Sequence, residues 1–144
     1  MSKLLLVDDH AIVRAGLRRL LESIPCISHI EECASGEAAY QYLFSNTVDI
    51  ILMDISMPGK GGIESTSLIK KRYPQTKVLI LSMHDSAVMI RKAKNAGASG
   101  FVLKNEISDN LLNAIQKVLE GEEVFPVIEA EEYINILECL SGKE

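Results

Sequence analysis

Two aspartates, Asp8 and Asp9, stand side by side in the stretch LLLVDDHAIVRAGLRRLLE, directly behind an apolar run and directly ahead of a helical pattern. Like charges held against a low-dielectric core repel each other and are costly to desolvate, so a cation is expected to meet them. Three further polar residues occupy the same kind of position: Asp54 follows DIILM, Ser82 follows KVLIL and Lys104 follows GFVL. Hard oxygen ligands suit Mg²⁺, which takes one or two carboxylates and shares the rest of its shell with water and a substrate's phosphate. Such an ion would let an anionic phosphoryl group approach a carboxylate, while Lys104 and the Ser82 hydroxyl bind its remaining oxygens. Asp54 stands alone at its position, whereas Asp8 and Asp9 form the pair. It is therefore the candidate nucleophile, able to hold an aspartyl phosphate. Taken singly, each residue has a plainer reading. An aspartate there caps a helix, Ser82 would cap a helix starting near Asp85, and Lys104 would be a solvated strand end. Only their joint placement favours the chemistry.

That placement depends on the elements between them. The runs at 3 to 7, 49 to 53, 77 to 81 and 100 to 103 are short, continuous and unalternating, as strands buried on both faces should be. A weaker run covers Ile27 to Cys33. Val13, Leu17, Leu20, Leu21 and Ile24 recur at helical spacing, as do Leu111, Leu112, Ile115, Val118 and Leu119. Less regular helical stretches fit 35 to 45, 62 to 73 before Pro74, and 85 to 96 before Gly97. Five consecutive βα units predict an α/β flavodoxin-like fold: a doubly wound five-stranded parallel sheet, order 2-1-3-4-5, with helices on both faces. Ligands in such sheets bind beyond the carboxyl ends of the strands, where strand order reverses. There Asp8, Asp9 and Asp54 would gather, with Ser82 and Lys104 flanking them.

Composition narrows the classes. The chain has 144 residues, enough for one domain with a real core. It carries no apolar run of membrane-spanning length and no cleavable leader, so a soluble, cytoplasmic protein is expected. Cys26, Cys33 and Cys139 have neither disulfide nor zinc spacing and read as small buried or half-buried thiols. From Glu122 onward there are seven Glu against one Lys, while residues 1 to 121 hold 14 basic and 13 acidic side chains. Neither part offers the basic, aromatic-interleaved face that nucleic acid requires, and Arg14, Arg18 and Arg19 read as a solvated helix face. The PGKGG loop lacks the spacing of a phosphate loop and reads as a flexible turn into the next helix; GASG fails the dinucleotide pattern. His10, His29 and His84 read as exposed loop imidazoles.

LLVDDH, IILMDISMPGKGGIE, VLILS and GFVLK together resemble the receiver domain of bacterial two-component response regulators, the CheY-like fold, over roughly residues 2 to 121. The opening DDHAIVRAGLRRLLE looks like the branch of transcription factors with a LuxR-type (NarL-type) helix-turn-helix. The resemblance implies Asp54 as phosphoacceptor for a sensor histidine kinase. It implies a Mg²⁺ site from Asp8, Asp9, Asp54 and the backbone carbonyl of Ser56. It also implies phosphoryl contacts from Lys104 and Ser82, and Phe101 as the aromatic whose rotamer follows Ser82. Ser56 and His84 fall at positions that influence phosphoryl lifetime in this family. Ser82 replaces the commoner Thr, and Asn105 stands where many receivers have Pro.

Residues 1 to 121 are thus expected to form the receiver, and 122 to 144 an acidic linker or extra helix, with Ala130, Tyr133, Leu137 and Leu140 as its apolar stripe. About 23 residues are too few for a LuxR-type DNA-binding domain, so DNA contact would need an output domain not in this chain. A stand-alone single-domain regulator acting by protein contact is the alternative, and a homodimer fits either. The protein is expected not to be an enzyme beyond its own phosphorylation and dephosphorylation. A Mg²⁺-dependent phosphohydrolase with an aspartyl nucleophile is the rival class. The haloacid-dehalogenase type needs a second Asp two residues past the nucleophile, where this chain has Ser56.

Overall fold

Leu4 to Val7, Ile50 to Met53 and Val78 to Leu81 are all shielded from solvent. A strand that is apolar at every position can only be satisfied between two helical layers, and that is where these three lie. The structure is a computed structural model that describes residues 2–55, 61–83, 86–104 and 107–126, with the side chains of 107–109 outside the description. Its elements alternate: β1 (Ser2–Val7), α1 (Ala11–Leu21), β2 (Ile27–Cys33), α2 (Gly36–Tyr42), β3 (Ile50–Asp54), α3 (Gly62–Arg72), β4 (Lys77–Ser82), α4 (Ala87–Asn95), β5 (Gly100–Leu103) and α5 (Ile107–Leu119). The strands are parallel and ordered β2-β1-β3-β4-β5, the expected order.

Alternation along the strands divides the core into two layers. Leu4, Leu6, Ile50, Leu52, Leu79, Leu81 and Val102 pack with α1 and α5, around Leu17, Leu21, Leu111, Ile115 and Val118. Leu5, Val7, Ile51, Met53, Val78, Ile80 and Phe101 face α2, α3 and α4. Val13 departs from its expected core role and is 40% exposed, as is its neighbour Ile12 at 88%. Both belong to the first turn of α1, which starts beyond the carboxyl edge of the sheet before the helix runs back over the strands.

Local chemistry sets the helix ends. Ser35 caps α2 by accepting the Ala38 N–H, and Ser86 caps α4 by accepting that of Met89. The cap of α4 is thus Ser86, which leaves Ser82 in the strand. Gly97 and Gly121 close α4 and α5 at φ 98° and 95°, a region that favours glycine. Past Gly121 the chain turns back onto the outer edge of β5. Val124 N–H donates to Ser99 O, and Phe101 N–H to Val124 O, each at 2.9 Å. A strand edge with open donors is thereby covered. The stripe at Ala130, Tyr133, Leu137 and Leu140 lies outside the described residues.

Candidate functional site

Register brings the polar residues together. Val7 pairs with Met53 across β1 and β3, so Asp8 and Asp54 follow side by side. Asp54 pairs with Leu81, and Ser82 with Leu103, which puts Ser82 and Lys104 one step further along β4 and past β5. Asp8, Asp54 and Lys104 share the parity of the α1/α5 layer, whereas Ser82 has the parity of Ile80. Lys104 Nζ accordingly lies 3.2 Å from both Asp8 Oδ2 and Asp54 Oδ2. Asp8 and Asp54 are completely buried, Ser82 nearly so, and the Lys104 side chain is 9% exposed.

Asp8, Asp9, His10 and Asp54 each offer a ligand atom, and these atoms all lie within 4.8 Å of one another. Among the described residues three carboxylates gather around one lysine ammonium, an acidic excess that a divalent cation would offset. Asp9 Oδ1 is buried and accepts no hydrogen bond of good geometry from the described residues, although the His10 ring lies 3.0 Å away. A buried carboxylate oxygen in that state is where a cation would sit. The donor set is hard, anionic and oxygen-rich, and it suits Mg²⁺. Asp8 Oδ1 accepts the His10 backbone N–H at 2.8 Å, which folds the turn between β1 and α1 and holds the carboxylate toward the strand ends.

Two features had no such role in the sequence. His10 is 60% exposed and places Nδ1 3.0 Å from Asp9 Oδ1 and 3.4 Å from Asp8 Oδ1. The available signal was its place directly after the aspartate pair. Gly62, read as part of a flexible turn, is instead a close approach: a Cβ there would lie 2.6 Å from the Asp54 carbonyl oxygen and 3.0 Å from Ile55 Cα. The first turn of α3 thus abuts the backbone of the candidate nucleophile. His29 lies away from the cluster, 2.6 Å from Glu31 on β2. Phe101 is buried in the α2/α3/α4 layer, in register with Ile80. Ser56, His84 and Asn105 lie outside the described residues.

Arg14 and Arg18, expected to be solvated, are only partly so. Both bind Glu32 on β2, at 2.8 and 2.7 Å, while Arg19 is exposed. The Arg18 hydrogen bond, with help from Arg14, holds the Glu32 carboxyl below the ordinary glutamate range against an opposing contribution from burial. Cys26 and Cys33 are free and half-buried, as expected, and Cys139 lies outside the described residues. Burial pushes the Cys33 thiol up, away from the reactive thiolate.

A sheet of order 2-1-3-4-5 with a buried carboxylate pair and a lysine at the carboxyl edge is a known arrangement. The family model of the response regulator receiver domain matches residues 4–116. The chain belongs to this family. Among relatives of this receiver, the response regulator UvrY of Escherichia coli (strain K12) is 40% identical over 122 residues, covering 85% of this chain and 56% of UvrY. The transcriptional regulatory protein DegU of Brevibacillus brevis is 36% identical over 119 residues, covering 83% of this chain and 50% of DegU. The receiver spans about half the length of these curated relatives. A crystal structure of a LuxR-family two-component response regulator from Aurantimonas sp. SI85-9A1 superposes with a TM-score of 0.84 at 36% identity, covering 97% of this chain and 99% of that one. Among the described residues no helix is long and apolar enough to cross a membrane.

Proposed function

We propose that this receiver is a phosphorylation-switched signalling module in which Asp54 accepts a phosphoryl group from a sensor histidine kinase. The observation that carries the reading is Lys104 Nζ at 3.2 Å from both Asp8 and Asp54, inside a cluster whose carboxylate ligand atoms lie within 4.8 Å of one another. A carboxylate oxygen of Asp54 attacks phosphorus, and the bond from phosphorus to the donor's imidazole nitrogen breaks, leaving an aspartyl phosphate. Little covalent assistance is needed, because phosphoryl transfer is governed by positioning and by charge on the equatorial oxygens. Lys104 is already placed beside the nucleophile to meet that charge, and the Ser82 hydroxyl offers a further donor. Mg²⁺, held by Asp8, Asp9, Asp54 and the Ser56 carbonyl, would supply charge neutralisation for an anion approaching an anion. Ser82 and Phe101 form the switch pair, carrying the event from the phosphoryl group into the layer around α4.

We assign residues 1–121 to the receiver and 122–144 to a linker or extra helix. The output is transcription, through a LuxR-type helix-turn-helix domain beyond this chain. The name of DegU and the half-length match to the relatives support that reading. Mass spectrometry of the intact protein after incubation with acetyl phosphate and Mg²⁺ tests the chemistry. One phosphoryl adduct, released by hydroxylamine and missing from Asp54→Asn, is expected. Persistence of the adduct in Asp54→Asn moves the acceptor elsewhere, and steady turnover of added phosphoesters makes the protein a hydrolase. Asp8→Ala with Asp9→Ala should abolish Mg²⁺ binding and phosphorylation while leaving the fold as stable or more so, because it removes crowded like charges. Wild-type Mg²⁺ affinity in that double variant would sink the metal assignment.

A further inference from the structure

Asp8 is restrained at every polar atom that the described residues engage. Its N–H donates to Cys33 O at 3.1 Å, one carboxylate oxygen accepts from His10 N–H, and the other faces Lys104. The ladder between β1 and β2 stops there, because β2 ends at Cys33. The Asp8 carbonyl accepts a hydrogen bond from Arg14 Nη1, which reaches back from α1. Arg14 is itself fixed, since its Nε donates to Glu32 Oε1 at 2.8 Å. Arg18, one helical turn later, donates to Glu32 Oε2 at 2.7 Å, so both oxygens of Glu32 are taken. The planar guanidinium suits this bridge, because its donors diverge in a fixed geometry toward two acceptors.

We propose that Arg14, braced by Glu32, is a positioning residue that holds the Asp8–Asp9 turn in the geometry that captures the divalent cation. The proposal rests on the reading of that cluster as a metal site. Partners just outside a ligand shell commonly change metal affinity by about 10- to 100-fold. Charge and positioning act here with opposite signs. Arg14 is a cation near a cation site, so removing its charge strengthens Mg²⁺ binding if repulsion is all that matters. Removing the clamp on the Asp8 carbonyl weakens binding if positioning dominates.

Isothermal titration calorimetry with MgCl₂ on the full chain separates these. Arg14→Ala is expected to bind Mg²⁺ on the order of tenfold more weakly, with a retained far-UV circular dichroism spectrum and faster amide exchange at Asp9 and His10. Arg14→Lys keeps the charge but lacks the diverging planar fork that spans the Asp8 carbonyl and Glu32, and is expected between Arg14→Ala and wild type. It also serves as the test if the alanine variant does not fold. Arg19→Ala removes the same charge from the exposed side of α1 and is expected to match wild type. Equal or tighter Mg²⁺ binding by a folded Arg14→Ala, or by Arg14→Lys in its place, overturns the positioning role while leaving the metal site standing. Absence of Mg²⁺ binding by the unsubstituted protein overturns the metal reading and the positioning role together.

Discussion

At the level of single residues, charge is balanced locally and by different means. The aspartate cluster gathers three carboxylates around Lys104, with Asp8 and Asp54 fully buried, whereas Glu32 is compensated by two arginines on a half-exposed surface. The Glu32 arrangement has a pH signature. Its folded carboxyl lies below the ordinary glutamate value of about 4.3, mainly through the Arg18 hydrogen bond. The unfolded chain therefore takes up a proton first as pH falls. The associated stability is present above the ordinary value and is lost as pH drops through the lowered folded one. Urea midpoints measured as the pH falls from that value should decline less steeply for Glu32→Gln than for wild type. Identical slopes would show that the pair contributes nothing, as many solvated ion pairs do.

At the level of elements, glycines mark where two pieces of backbone must nearly touch. A Cβ on Gly100 would meet Leu79 Cδ1 at 2.5 Å and the Val124 carbonyl at 2.8 Å, so β5 lies between its neighbour strand and the returning chain. Gly100→Ala is expected to destabilise by about 1–3 kcal/mol through overpacking. Gly62→Ala opposes two effects. Alanine is better than glycine inside a helix by roughly 1 kcal/mol, but its Cβ would press on the Asp54 carbonyl at 2.6 Å, where backbone and not a flexible side chain must yield. The clash should win, with stability reduced and the yield of phosphoryl adduct reduced with it. Urea denaturation and intact mass check both. An unchanged or raised urea midpoint in either variant would show that the backbone gives way easily.

For the whole molecule, the question is how an event at Asp54 reaches a distant face. A phosphoryl group adds about two negative charges and three acceptor oxygens, which should draw in Lys104 and the Ser82 hydroxyl. Ser82 shares strand parity with Ile80, which pairs with Phe101, and the Phe101 ring is buried in the layer of Ile90 and Ala93 of α4. The Phe101 N–H also holds Val124, so β5 is tied to the chain leaving α5. Beryllofluoride with Mg²⁺ is expected to shift amide NMR signals from Ser82 through Leu111 as well as near Asp54, and Ser82→Ala or Lys104→Ala to suppress the distant shifts. Shifts confined to Asp8, Asp9 and Asp54 would mean that the domain binds phosphoryl groups without switching.

While the partly exposed β2 showed only as a weaker run, continuous apolarity specified β1, β3, β4 and β5 and the strand ends at which Asp8, Asp54, Ser82 and Lys104 appear. It does so because a strand buried on both faces has no choice but to be apolar throughout, and its first polar residue marks its end. Residue type was enough to suggest a hard-cation and phosphoryl site, since carboxylates, a hydroxyl and an ammonium have few other joint uses. Strand register, by contrast, decided that Lys104 reaches both Asp8 and Asp54, because neighbouring strands are unrelated in sequence position. The same holds for Arg14 and Glu32, 18 residues apart and on different elements, which turned an apparently solvated helix face into a brace. Gly62 and Gly100 read as turn and strand-start residues until the packed backbones beside them set the reason. These contacts arise only when β1, β2 and α1, or β3 and α3, are docked together, and no local pattern in the chain encodes that approach.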